Sequence, residues 1–201
     1  MSVWDWLHEF ADEMRAQGDR ERFRLWEIQG EASRFGRAEP ERKLAKLEEG
    51  RALAQRLGES WWVLHFDHWR LQVLMHYLLD YRPEVLDLAV RSTLEARKPQ
   101  YARLPQRICL HEDLIYAYLG VDPLGHADAI RQALDYMRKE VSEDLECRYC
   151  VQNCRTEFAL RRGALDEAEA ARRALARLRS PGGFLAELEQ IESGGPGGPV
   201  P

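Results

Sequence analysis

Ala127-Asp128-Ala129-Ile130-Arg131-Gln132-Ala133-Leu134-Asp135-Tyr136-Met137 and Ala168-Glu169-Ala170-Ala171-Arg172-Arg173-Ala174-Leu175-Ala176-Arg177-Leu178 are two versions of one segment. Ala127, Ile130, Leu134 and Met137 match Ala168, Ala171, Leu175 and Leu178 position for position, at spacings of three, four and three. That spacing places the four side chains on one face of an α-helix. The segment's small–Leu dipeptide recurs as Ala52-Leu53, Thr93-Leu94, Ala133-Leu134 and Ala174-Leu175, with the leucines 41, 40 and 41 residues apart. A fixed period of that size is the signature of stacked helical hairpins, each burying its apolar face against its neighbours. Leu86, Val90 and Leu94 repeat the stripe more loosely, as do Leu47, Gly50, Leu53 and Leu57. Small residues at the front of the stripe let the two helices of a hairpin approach closely, and the larger ones fill the gap to the next hairpin.

Helical periodicity extends over nearly every segment, and no stretch alternates strictly as a strand does. Helices are expected over residues 2–16, 20–35, 40–57, 60–80, 83–97, 100–119, 123–140, 143–162 and 164–179. Breaks at Gln17-Gly18-Asp19, Phe35-Gly36-Arg37, Arg82-Pro83, Lys98-Pro99, Gly120-Val121-Asp122-Pro123 and Arg162-Gly163 separate them. Pro40, Pro83 and Pro123 each stand at an expected first helical turn, where a missing N–H costs nothing. The expected fold is therefore all-α: an α-solenoid of about four antiparallel hairpins preceded by one extra N-terminal helix, in a single domain over residues 1–179. Residues 180–201 are expected to add a short helix carrying Phe184, Leu188 and Ile191, followed by a disordered Gly/Pro-rich tail. The short helix would cover the exposed end of the stack.

Ile115-Tyr116-Ala117-Tyr118-Leu119-Gly120, followed by Ala127 to Leu134, resembles the Ala-Tyr-x-x-x-Gly link of the tetratricopeptide repeat family into its second helix. Gly163-Ala164-Leu165-Asp166-Glu167-Ala168 resembles that family's Gly-x-x-x-Glu-Ala opening. The likeness spans residues 20–179. It departs from the family in its period, in the missing closing proline, and in Leu standing where a second Ala is frequent. Longer repeats of this kind occur in bacterial regulatory proteins of the same superfamily. The resemblance implies a right-handed superhelix whose concave face, lined by the first helix of each hairpin, binds peptides or protein segments. It implies no catalytic residues.

At 201 residues, with 45% apolar and 31% charged residues, the composition is that of one soluble globular domain. The net charge of −5 gives no support to nucleic-acid binding, which usually needs a concentrated basic face. No apolar run approaches the ~20 residues that span a bilayer, so no membrane partner is expected. The acidic start Met1-Ser2-Val3-Trp4-Asp5-Trp6 is unlike a secretion signal, and a cytoplasmic address is expected. No Gly-rich phosphate loop, Gly-x-Ser-x-Gly elbow or His-Glu-x-x-His helix is present, so neither an enzyme nor a cofactor is expected.

The helix from Trp61 to Tyr81 is apolar on two sides, with Leu64, Leu71, Leu74, Met75 and Leu78 on one and Trp62, Phe66, Trp69, Val73 and Tyr77 on the other. His65, His68, Gln72 and His76 form a polar stripe between them. Three readings are open. The imidazoles hydrogen-bond across to adjacent helices; or they line a binding groove with Trp61 as aromatic anchor and Arg103, Arg107 and His111 contributed by the next first helix; or His65 and His68 share a metal ion with Cys109, His111 or Glu112. A histidine-lined groove would favour acidic segments below pH ~6.5, where imidazole gains charge. A protein or peptide partner is the leading expectation. Self-association into a homodimer, through an uncapped end or the Trp4/Trp6 helix, is the structural alternative.

Cys147-x-x-Cys150-x-x-x-Cys154 is the second constellation. Thiols three and four residues apart share a helix face, and with a fourth ligand such as Cys109 they would form a metal or redox site. Val151 and Phe158 continue the same stripe, so the competing reading is that the cysteines pack as small apolar side chains. In Cys109-Leu110-His111-Glu112-Asp113 a nucleophilic pair is the third candidate. A continuous helix hides the backbone donors such chemistry needs.

Overall fold

The computed structural model describes residues 3–140 and 147–178, and all of their regular structure is helical. The expected short helix and tail over residues 180–201 lie outside the described residues. In chain order the helices are α1 (Val3–Gln17), α2 (Arg20–Ser33), α3 (Pro40–Leu57), α4 (Ser60–Gln72), α5 (Pro83–Ala96), α6 (Gln106–Val121), α7 (Ala127–Glu140), α8 (Cys147–Arg161) and α9 (Leu165–Leu178). None of them is long and apolar enough to cross a membrane.

Local chemistry sets the boundaries. The Asp19 carboxylate accepts from the Arg22 backbone N–H at 3.0 Å and caps α2. Pro40 and Pro83 open α3 and α5. Gly58 ends α3 at φ 72°, which brings the Glu59 N–H onto the Ala54 carbonyl at 2.9 Å. Two expected starts move downstream. Helix α6 begins at Gln106 because Pro105 precedes it and disfavours helical backbone at Leu104; a single 3₁₀ turn, Pro99–Tyr101, stands upstream. Pro123 does not open α7, since Asp122 turns its carboxylate onto the Leu124 and Gly125 N–H groups and holds residues 123–126 in turns.

Helix α4 does not run regularly to residue 80. Val73–Tyr77 forms a π-helical turn in which the Leu78 N–H reaches the Val73 carbonyl at 3.1 Å. The turn closes at Leu79, whose φ of 51° lies in the left-handed region, and the Asp80 N–H then donates to the Leu74 carbonyl at 2.8 Å.

Three apolar cores follow one another along the chain. The first joins Trp6, Leu25, Ile28, Leu47, Leu53, Trp62 and Phe66; the second joins Leu64, Leu71, Met75, Val85, Ala89, Leu104, Leu110 and Leu114. The third joins Ile108, Ile115, Ile130, Met137, Val151, Cys154 and Phe158. Helix α4 and the π-helical turn after it face the first core with Trp62, Phe66 and Val73 and the second with Leu64, Leu71 and Met75. Helix α6 does the same between the second and third cores. Beyond consecutive neighbours, α4 packs on α6 and α6 on α8.

All four small–Leu pairs fall in α3, α5, α7 and α9, yet they do not share one environment. Leu53 is buried beside exposed Ala52, whereas Thr93 is buried beside Leu94, which is 57% exposed. Ala133 is buried and Leu134 half-buried. In α5 the fully buried stripe is Val85, Ala89, Ser92, Thr93 and Ala96; Leu86 and Val90 pack half-buried against the second core, and Leu94 is left exposed. The helix is rotated because Thr93 Oγ1 donates to the Leu110 carbonyl at 2.9 Å, pinning that face to α6. The beat locates the helices without fixing their rotation.

Candidate functional site

The histidine stripe of α4 divides between two environments. His65 is fully buried among the rings of Trp6, Trp62, Phe66 and Trp69, 5.2–6.4 Å from them between centroids. Gln106 Nε2 donates to its Nδ1 at 2.7 Å. Burial, reinforced by the charge of His68, drives its pKa well below the usual range, so it is a neutral ring in the core. Trp61 is half-buried on Trp6, at 5.9 Å between centroids. Trp6 is thus enclosed by its own chain, while Trp4 is 41% exposed.

One helical turn on, His68 Nδ1 donates to Asp113 Oδ2 of α6 at 2.7 Å, and Gln72 Nε2 donates to the other oxygen at 2.5 Å. Asp113 is completely buried, so both carboxylate oxygens depend on α4. Burial works against a charged His68, but the Asp113 charge and hydrogen bond together outweigh it and raise the imidazole above its ordinary range. His76, in the π-helical turn, meets the Tyr116 ring edge-on at 4.8 Å, and Asn153 Nδ2 of α8 donates to the Tyr116 hydroxyl at 2.6 Å. Burial holds His76 below its ordinary pKa despite the Asp113 charge.

Between these contacts lies Glu112, half-buried on α6. Burial and then the Asp113 charge push its carboxyl up to about 7, while the Cys150 thiol donates to it. The neighbouring Cys147 thiol and burial together raise the Cys109 thiol well above its ordinary range. Burial raises the Cys150 and Cys154 thiols further, and Cys154 belongs to the third core. Cys109, Cys150 and Cys154 therefore sit as protonated thiols, and among the described residues no three His, Cys, Asp or Glu side chains converge as a metal-ligand set.

The residues expected from the next first helix are dispersed. Arg103 is exposed ahead of α6. Arg107 pairs with Glu140 at 2.7 Å. His111 is buried, donates from Nδ1 to the Arg107 carbonyl at 2.6 Å and accepts at Nε2 from Arg97 Nε at 2.9 Å. It lies flat on Tyr136 at 4.0 Å, and burial lowers its pKa to about 4. It ties α5, α6 and α7 together and points away from the row that joins α4, α6 and α8.

What comes together is a polar floor: His68 and Gln72 from α4, His76 from the π-helical turn after it, Glu112, Asp113 and Tyr116 from α6, Cys150 and Asn153 from α8. Tyr116 and Asn153 were not legible as members, and Asp113 was not legible as the partner of His68. The signal exists: α6, like α4, is apolar on two sides, and Glu112, Asp113 and Tyr116 fall in the seam between them. A separate pocket of about 400 Å³ between α2 and α3, lined by Arg20, Arg24, Ile28, Leu53 and Arg56, shares no residue with this floor. No family model, curated protein or solved structure matches the chain.

Proposed function

We propose that this chain is a non-catalytic helical-repeat module, a tetratricopeptide-like solenoid of the hairpins α2/α3, α4/α5, α6/α7 and α8/α9 behind α1, that binds a peptide or protein segment. The sharing of α4 and α6 between successive cores supports the solenoid, because repeat architectures bury each unit against its neighbours. The observation that carries the binding role is the polar row across the alternate helices α4, α6 and α8, buried at His68 and Asp113 and half-exposed at Gln72, His76, Glu112, Tyr116 and Asn153. Such a row presents amide and hydroxyl groups at intervals that an extended backbone can meet.

The floor differs in charge from a histidine-lined groove. His65 and His111 are buried and neutral, His76 is held down, and the charge of His68 is matched by Asp113. The ligand is accordingly read through hydrogen bonds rather than through a cationic surface, and acidification below pH 6.5 does not strengthen its binding. Immobilised protein screened against a synthetic peptide library supplies ligands to titrate by fluorescence polarisation. A His76→Ala/Asn153→Ala variant, altered only at half-buried positions, is expected to weaken them at least tenfold with Tm within a few degrees. Ligands that bind the variant as tightly as the native protein place recognition elsewhere.

A further inference from the structure

Among the described residues Lys43 is the only lysine or arginine that the fold buries, at 8% exposure on α3. Its neighbours on that helix each meet a carboxylate: Arg42 that of Glu39, Lys46 that of Glu31 at 3.1 Å, and Arg51 that of Asp67 at 2.6 Å. Lys43 meets none among the described residues. Its ammonium lies instead over two rings, 5.6 Å from the centre of Trp69 and 5.4 Å from that of Tyr77. A ring face attracts a cation without neutralising it, and burial removes much of the water that would solvate the charge. The ammonium is not sealed, however; unlike the indole nitrogen of Trp69, it keeps contact with solvent.

A second cation approaches the same ring. Arg37, in the α2–α3 connection, holds its guanidinium 5.7 Å from the centre of Tyr77. It is exposed and, among the described residues, it too pairs with no carboxylate. Of the acids nearest in sequence, Glu39 is engaged by Arg42 and Asp80 by Arg82 at 2.7 Å. Two like charges therefore converge on one aromatic ring with no negative charge to match them. Such a pair repels itself until an anion joins it.

We propose that Lys43 and Arg37, beside the Tyr77 ring, form a binding site for a phosphomonoester group. Such a group carries close to two negative charges at neutral pH, which matches the pair, whereas a carboxylate supplies only one. The two side chains also act in complementary ways: lysine as a compact point charge, arginine through a fork of donors that fits two phosphate oxygens. Lys43 is held in place by Trp69 and Tyr77, and Arg37 is exposed enough to swing onto the anion that Lys43 receives. The site involves neither His76 nor Asn153, so it stands or falls separately from peptide recognition on the polar floor.

Titration of the full chain with phenyl phosphate in about 150 mM NaCl, where loose surface attraction is screened beyond ~8 Å, tests this by calorimetry and by the ligand-induced rise in Tm. Saturable one-to-one binding is expected, with acetate binding at least tenfold more weakly. Lys43→Met keeps an unbranched chain between the rings without the charge; Arg37→Gln changes only an exposed position. Each is expected to weaken phenyl phosphate by about tenfold or more and to abolish the rise in Tm, while Arg103→Gln, exposed ahead of α6, leaves both unchanged. O-phosphoserine and a short phosphoserine peptide distinguish the sources of the group: equal affinities indicate a small phosphorylated metabolite, tighter binding of the peptide a phosphorylated segment. No saturable binding, or binding that survives Arg37→Gln, would overturn the proposal, and the second result decides even where Lys43→Met does not fold.

Discussion

Leu79 sits where a helix end usually places glycine. Its φ of 51° is costly for a side chain carrying a Cβ, and at 71% exposure its side chain gains little packing in return. Leu79→Gly is therefore expected to stabilise the protein by about 0.5–1 kcal/mol, read as a higher urea midpoint at unchanged m-value. An unchanged or lower midpoint would mean that Leu79 makes contacts that offset its strain. Glu112 poses the opposite question, through charge. Its folded pKa of about 7 lies above the ~4.3 of an unfolded glutamate, so the folded state holds a proton that the unfolded state releases. The resulting stabilisation is complete below pH ~4.3 and disappears as pH rises through 7. Glu112→Gln keeps an acceptor for Cys150 without the charge. Its Tm relative to the native protein is expected to rise by a few degrees between pH 5 and pH 8; a difference constant with pH would show that Glu112 is not desolvated.

At the scale of elements, α3 approaches α4 closely at Gly50. A Cβ at Gly50 would overlap the Phe66 ring, whose own surroundings are fully buried. Gly50→Ala gains about 1 kcal/mol of helix propensity but forces that ring to move, and a net loss of about 1–3 kcal/mol in thermal or urea unfolding is expected. The small–Leu beat can be tested in the same way. Leu53→Ala is expected to cost about 2–4 kcal/mol and Leu94→Ala less than about 0.5, because only the first opens a cavity. Equal losses would restore the beat as a uniform packing motif. The sequence stripe was correctly read in α3, where Leu47, Gly50 and Leu53 are all buried. In α5 it fell to one side of the buried face, leaving Leu86 and Val90 half-buried and Leu94 exposed, because helical periodicity gives the angle between residues but not the absolute rotation of the helix. In α5 that rotation is set by the bond from Thr93 to the Leu110 carbonyl, a contact between residues 17 positions apart.

Across the whole molecule the cores are serial, and α4 and α6 each serve two of them. Local stability should follow that order. In native-state hydrogen exchange the amides of Leu64–Leu71 and Ile108–Leu119 are expected to be the slowest, and those of α9, packed against α8, among the first to exchange. Protection that is uniform from α4 to α9 would instead mean a single cooperative unit. The all-helical character, most breaks and the two-sided apolar pattern of α4 were determined by the sequence alone, because apolar spacing, prolines and glycines act within a few residues. Pro105 and the Asp122 turn are equally local, and went unread only because helical periodicity was extended across them. The fate of each polar group was decided by the tertiary structure. His65 and His68 stand three positions apart on one stripe, yet one is a neutral core ring and the other an ion-pair partner. The difference is that α6 brings Gln106 to the first and Asp113 to the second, across 41 and 45 residues of chain. A pKa depends on burial and on the charges nearby, and those neighbours exist only once the helices are packed.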